Sequence, residues 1–175
     1  GRRKCEERLG LPRYAVDQVV HGSRAWRQAQ SGVISDDAYW ADVAERLGLD
    51  QAALDVFRRD YFGGDRLDQN MVRFIRGLRP RFKTALLSNA SPYLSDLLDE
   101  LGVVDLFDAV VISALVGVQK PDPVIYHIVL ERLGLVPEQA LFVDDFVENV
   151  EAARALGMQA LRFCAGMDWQ AALKD

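Results

Sequence analysis

The sequence predicts an α/β fold in which an entirely helical first segment precedes alternating strands and helices. Up to about residue 80, apolar residues recur at the spacing of amphipathic helices. From residue 84 onward, short apolar runs alternate with longer helical stretches. Strands separated by helices of about ten or more residues form βαβ units, so we expect a parallel sheet.

The helical segment has recognisable start and stop signals. Ser35 is a suitable N-cap residue, and Gly48 is placed to end the helix that follows it. Gly10, with Pro12 beyond it, is placed to end the first helix. We expect helices over about 2–9, 14–30, 36–47, 51–62 and 70–77.

Four apolar runs in the second half predict strands, at residues 84–87, 109–112, 140–143 and 159–163. The run Ala140–Val143 is apolar throughout, which is typical of a parallel strand buried on both faces. Thr84–Leu87 is likewise expected to be buried. Ser91–Pro92 and Asp122–Pro123 each place a capping residue before a proline, a pattern that begins helices.

Polar side chains follow three of these strands. Ser88 and Asn89 follow the first, Lys120 lies in the loop after the second, and Asp144 and Asp145 directly follow the third. Ligands of open α/β sheets bind beyond the carboxyl ends of the strands. A hydroxyl group beside a helix N-terminus and a fixed ammonium suit a phosphate, whereas two adjacent carboxylates favour Mg²⁺. Together these groups suit phosphoryl transfer.

Each residue also has an ordinary structural explanation. Ser88 and Asn89 are common turn residues, and an isolated surface lysine such as Lys120 is usually just solvated. One of Asp144 and Asp145 could simply cap the following helix. It is the succession of the three groups that favours a functional site.

The composition restricts the possible partners and location. The chain has 175 residues, half of them hydrophobic, and a net charge of −5, which argues against nucleic acid or an anionic membrane as a partner. Apolar runs fall short of the ~20 residues of a membrane helix. Cys5 and Cys164 are too few for a disulfide framework, so we expect a cytoplasmic location.

The strand-end motifs resemble those of the haloacid dehalogenase-like (HAD) hydrolases. In particular, they resemble the helical-cap subfamily, which includes sugar-phosphate phosphatases and the N-terminal domain of epoxide hydrolases. Leu87–Ala90 resembles the second motif of the family, and Lys120 in Gln-Lys-Pro-Asp-Pro resembles the lysine of the third. Phe142–Asp145 resembles the fourth motif, and Asn149 stands where many members carry a further acid.

This resemblance implies roles for the individual residues. Ser88 and Lys120 are expected to be catalytic and, with Asn89, to bind the phosphoryl group. Asp145 is expected to bind Mg²⁺ directly, with Asp144 in support.

The resemblance also implies a Rossmann-like parallel sheet with a small helical cap. We expect the cap over residues 13–75, and the α/β core over 1–12 and 76–175. Three aromatic residues of this cap are expected either in its core or in the wall of a substrate site: Trp26, Tyr39 and Trp40.

The first motif of the family, Asp-x-Asp-x-(Thr/Val), is absent from the chain. Its two aspartates are the nucleophile and the general acid/base. None of five aspartates of the helical segment follows an apolar strand: Asp17, Asp36, Asp42, Asp50 and Asp55. We therefore expect the natural protein to carry the motif, with its strand, upstream of Gly1. The resemblance implies that this strand lies in the middle of the sheet, between the strands at residues 140–143 and 84–87.

These features predict a Mg²⁺-dependent phosphatase of a small phosphorylated metabolite that works through an aspartyl-phosphate, as a monomer or homodimer. Without its nucleophile, the chain alone is expected to be inactive. A 2-haloacid dehalogenase is one alternative, although that chemistry needs no metal and so leaves the pair of acids unexplained. A non-catalytic binding protein of the same fold is the other.

Overall fold

The computed structural model describes residues 1–164 and 166–167. Six helices come first: α1 (Arg2–Leu9), α2 (Ala15–His21), α3 (Arg24–Gln30), α4 (Asp36–Leu47), α5 (Gln51–Phe62) and α6 (Gln69–Leu78). The alternating part follows: β1 (Ala85–Ser88), α7 (Tyr93–Glu100), β2 (Ala109–Ile112), α8 (Ser113–Val116), α9 (Pro123–Leu133), β3 (Leu141–Asp144), α10 (Val147–Ala155) and β4 (Gln159–Arg162). The predicted α/β order is confirmed.

The helix expected over residues 14–30 is in fact two helices. Ser23 has an extended backbone, and its Oγ accepts a hydrogen bond from the backbone N–H of Trp26 at 2.9 Å, which begins α3. The helical spacing of apolar residues continues across this break, so periodicity alone does not reveal it. The expected ends of α4 are confirmed, since Ser35 caps its start and Gly48 ends it with φ of 64°.

The chain divides into two compact units, Gly1–Gly117 and the residues from Val118 onward. In the first, helices α1–α5 enclose an apolar core. Tyr39 and Trp40 lie in this core and are only 1% and 5% exposed, whereas Trp26 packs half-buried at its edge. The core explanation therefore holds for Tyr39 and Trp40.

Helix α1, which lies within the residues 1–12 that we expect to belong to the α/β core, makes its contacts with other helices of the first unit. It lies against α2 and α5, and Cys5 is fully buried among the helices. Cys5 can be enclosed because α1 presents it toward α5, where the Sγ lies 3.8 Å from the backbone oxygen of Phe57. The cap limits at residues 13 and 75 are still predictions.

Within the first unit, β1 and β2 pair in parallel from Ala85 opposite Ala109 to Ser88 opposite Ile112. A small core forms beside them from residues of α6, α7 and the following turn: Val72, Leu98, Val103 and Leu106. The two carboxyl ends are aligned in this register. The residues that follow each strand are therefore close in space.

The second unit contains the parallel pair β3 and β4, in register from Leu141 opposite Gln159 to Asp144 opposite Arg162. Helices α9 and α10 contact each other, and α10 packs on both strands. The most buried side chains of the second unit include Ile125 and Tyr126 of α9 and Val150 of α10.

Two strands are more exposed than the sequence predicts. All four residues of β1 are half-buried, and Leu141 of β3 is 40% exposed. In the part of the chain that the structure describes, each strand has a single hydrogen-bonded strand neighbour, so its flanks are less covered than in a wide sheet. Among the same residues, no helix is both long and apolar enough to cross a membrane.

Candidate active site

Ser88 and Asn89 lie at the carboxyl end of β1, in the first unit. Ser88 is the last residue of the strand, and both side chains are half-buried. Helix α7 begins shortly after them at Tyr93, with Pro92 rather than the expected Ser91 in the N-cap position. Backbone N–H groups at a helix start favour anions, so this loop has the chemistry of a phosphate-binding segment.

Lys120 and Asp144 form a buried ion pair in the second unit. The Lys120 Nζ donates a hydrogen bond to Asp144 Oδ2 at 2.6 Å, and the side chains are 10% and 5% exposed. The ammonium also lies 5.6 Å from the ring centroid of Phe142, within the range of a cation–π contact. Lys120 is therefore not a solvated surface lysine.

The other carboxylate oxygen of Asp144 is also engaged. Its Oδ1 accepts hydrogen bonds from the backbone N–H of Phe146 at 2.9 Å and from Asn149 Nδ2 at 3.0 Å. Burial by itself would raise the pKa of Asp144, but these two bonds and the Lys120 ammonium together hold that pKa below its ordinary value. The carboxylate is thus ionised and fixed in place.

Tyr126 is a further member of this cluster that the sequence did not reveal. Its ring is fully buried, and its hydroxyl donates to the backbone oxygen of Asn149 at 2.9 Å. Burial, with a smaller effect of the Asp144 charge, raises the pKa of Tyr126 to about 12. Tyr126 stands in the apolar stripe of α9, where nothing distinguishes it from an ordinary core residue. Asn149, by contrast, stands at a position to which the family resemblance had already drawn attention.

Asp145 differs from its neighbour because its side chain is exposed. Its backbone oxygen accepts a hydrogen bond from Arg162 Nε of β4 at 3.3 Å, which ties the residue to the sheet. In the described residues, no three acidic, histidine or cysteine side chains form a metal-binding group. Mg²⁺ commonly takes one or two protein carboxylates and completes its shell with water and phosphate. An exposed carboxylate beside a fully engaged one fits that requirement.

The structure places the predicted residues in two groups. Ser88 and Asn89 belong to the first unit, and Lys120, Asp144 and Asp145 to the second. Lys120 and Asp144 are in direct contact. Both carboxylate oxygens of Asp144 bind protein groups rather than being left open, and its supporting role at a metal site is still a prediction.

Comparison with known proteins identifies relatives of the chain. The chain is 32% identical over 145 residues to the sesquiterpene phosphatase astK of Aspergillus oryzae, covering 82% of this chain and 74% of that protein. Its fold is similar to a HAD family enzyme of Bacteroides thetaiotaomicron solved with magnesium and inorganic phosphate, with a TM-score of 0.80 and 21% identity. That likeness covers 99% of this chain and 91% of the other.

A third relative is the L-2-haloacid dehalogenase of Xanthobacter autotrophicus, solved with chloropropionic acid covalently bound. It is 28% identical, with a TM-score of 0.65, and the likeness covers 97% of this chain and 73% of that one. The sequence profile of the haloacid dehalogenase-like hydrolases matches residues 2–157. The chain therefore belongs to the haloacid dehalogenase-like hydrolases.

Proposed function

We propose that the protein is a Mg²⁺-dependent phosphatase of a small phosphorylated metabolite. The observation that carries the proposal is the buried Lys120–Asp144 pair, which stands directly beside the exposed carboxylate of Asp145. A fixed cation and a separate open carboxylate suit a polyanionic substrate that brings a metal ion with it. The similarity to a sesquiterpene phosphatase supports this reaction class.

Each group has a defined part in the proposed reaction. Ser88 and Asn89 bind phosphoryl oxygens at the end of β1, and Lys120 contributes positive charge that Asp144 holds in position. Asp145 would hold Mg²⁺, which when bound offsets negative charge on the phosphoryl oxygens. Asn149 and Tyr126 orient Asp144 rather than meeting the substrate.

The proposed nucleophile is an aspartate on a segment preceding residue 1. Its carboxylate would attack phosphorus, forming an aspartyl-phosphate as the bond from phosphorus to the substrate oxygen breaks. The second aspartate of that motif would give a proton to the departing alcohol. Water would then hydrolyse the aspartyl-phosphate, releasing inorganic phosphate. Residues 1–175 alone should therefore be inactive.

We also propose a cytoplasmic protein that works as a monomer or homodimer. Both cysteines are free thiols, with Cys5 buried and Cys164 exposed. An exposed thiol stays reduced in a reducing compartment such as the cytoplasm. Intact mass in non-reducing solution is the simplest check on both the thiols and the assembly state.

The test compares the intact gene product with residues 1–175 in a p-nitrophenyl phosphate assay. We expect Mg²⁺-dependent turnover by the intact protein only, loss of turnover in EDTA, and a large loss in Asp145→Asn. Turnover that persists in EDTA, or in Asp145→Asn, would refute the assignment of the metal site. Activity of residues 1–175 alone would refute the proposed nucleophile.

A 2-haloacid dehalogenase is the second candidate, favoured by the similarity to the Xanthobacter enzyme. Release of chloride from 2-chloropropionate without Mg²⁺ would establish it. A non-catalytic protein of the same fold would instead bind Mg²⁺ and phosphate and turn over neither substrate.

A further inference from the structure

The end of helix α3 is hydrogen-bonded to the loop that carries Ser88. Gln30, the last residue of α3, donates from its side-chain Nε2 to the backbone oxygen of Asn89 at 2.9 Å. Its own backbone oxygen accepts a hydrogen bond from Ser113 Oγ at 2.6 Å. Gln30 is 59 positions from Asn89 and 83 from Ser113 in the sequence, so neither contact is local.

Ser113, which follows β2, links Gln30 to the loop after β1. It is fully buried, and its Oγ accepts the backbone N–H of Ala90 at 3.0 Å. The hydroxyl thus donates to Gln30 and accepts from Ala90, so both capacities of a buried polar group are used. The backbone N–H of Ala114 also donates to the oxygen of Ala90 at 3.3 Å.

The close approach of α3 to this region depends on Gly32. Its φ is 71°, and a Cβ at this position would lie 2.4 Å from the backbone oxygen of Ala114. A side chain could not be accommodated without moving one of the two segments. Gln30 and Ser113 therefore act between backbones that are already in contact.

We propose that Gln30 and Ser113 are positioning residues that hold the Ser88–Ala90 loop in its phosphate-binding conformation. The inference rests on the proposed function and adds a helical-segment residue to the site. Its basis is that both side chains bind backbone atoms of the two residues immediately after Ser88, rather than contributing to the apolar core. A loop held both by α3 and by the first residue of α8 would need little further ordering when phosphate binds.

Gln30→Glu is the most informative variant, because it preserves size but replaces the Nε2 donor by a charged acceptor oxygen that cannot bond to the Asn89 carbonyl. Gln30 is half-buried, so the variant should fold. Gln28→Glu is the matched control. Gln28 is also half-buried on α3, and the substitution adds the same charge. Ser113→Ala tests the second contact by removing the acceptor of the Ala90 N–H.

Two readouts on the intact gene product separate positioning from general stability. In Gln30→Glu we expect the affinity for orthophosphate to fall, and the KM for p-nitrophenyl phosphate to rise, by about five- to tenfold. The reason is that a smaller fraction of molecules would have the loop in its binding conformation. The Gln28→Glu control should match the wild type. Amide hydrogen exchange at Ala90 should accelerate in Ser113→Ala while the core helices exchange as before.

The outcomes are distinguishable. If the wild type binds phosphate and Gln30→Glu binds it equally well, the positioning role is wrong and the proposed function is unaffected. If the wild type binds no phosphate, both the proposed function and this inference are wrong. Unchanged exchange at Ala90 in a folded Ser113→Ala protein would also overturn the inference.

Discussion

The ammonium of Lys120 lies 2.6 Å from the Oδ2 of Asp144, and neither side chain is more than 10% exposed. Moving two charges out of water is costly, and their attraction offsets that cost only when geometry and hydrogen bonding are good. Here Phe146 and Asn149 provide the additional hydrogen bonds. Forming such a pair adds little net stability, which agrees with the functional role that we propose for it.

The first prediction concerns the coupling within this pair. Lys120→Met and Asp144→Asn should each lower the free energy of unfolding by about 3–5 kcal/mol, because each leaves one buried group without its partner. The double variant should lose less than the sum of the two, since no uncompensated charge is then buried. Urea unfolding of the four proteins measures the coupling. Additive losses would mean that the two charges do not interact.

The second prediction is the dependence of stability on pH. The pKa of Asp144 is held below its ordinary value, so the ionised carboxylate stabilises the folded protein. This contribution to the free energy of unfolding is fully present at any pH above the ordinary aspartate pKa of about 4. That contribution is lost as the pH falls through the lowered pKa. The stability difference between wild type and Asp144→Asn should therefore be largest near neutral pH and shrink in acid. A difference that stays constant down to pH 2 would contradict this account.

The third prediction separates Asp145 from its neighbour. Asp145→Asn should change the free energy of unfolding by less than about 0.5 kcal/mol, because the side chain is exposed. It should nevertheless abolish Mg²⁺ binding in isothermal titration of the intact protein. Glu148→Gln is the matched control, an exposed acid in the first turn of α10. Equal Mg²⁺ affinity in the two variants would place the metal elsewhere.

The fourth prediction concerns Tyr126. Tyr126→Phe should destabilise the protein by about 1–3 kcal/mol, because the backbone oxygen of Asn149 would lose its buried donor. Tyr93→Phe, at a half-buried tyrosine of α7, should have a much smaller effect in the same thermal unfolding experiment. If the two variants unfold alike, the hydroxyl of Tyr126 has no role in holding α10.

Local patterns in the sequence determined the order of elements and the chemistry at the strand ends. Apolar periodicity, the capping residue Ser35 and the proline after Asp122 act within a few residues, so both ends of α4 and the start of α9 could be predicted. For the same reason Ser88 and the acid pair could be identified at the ends of strands, and Lys120 in the segment between a strand and the following capped helix.

Tertiary structure decided which of these groups meet. Lys120 binds Asp144 across 24 positions, and Tyr126 reaches Asn149 across 23, although neither partner is evident from local spacing. It also decided that Gln30 joins the loop after β1, and that β1 is half-buried rather than buried. Contacts and burial of this kind depend on how distant elements pack, and the periodicity of a single element carries no information about its neighbours.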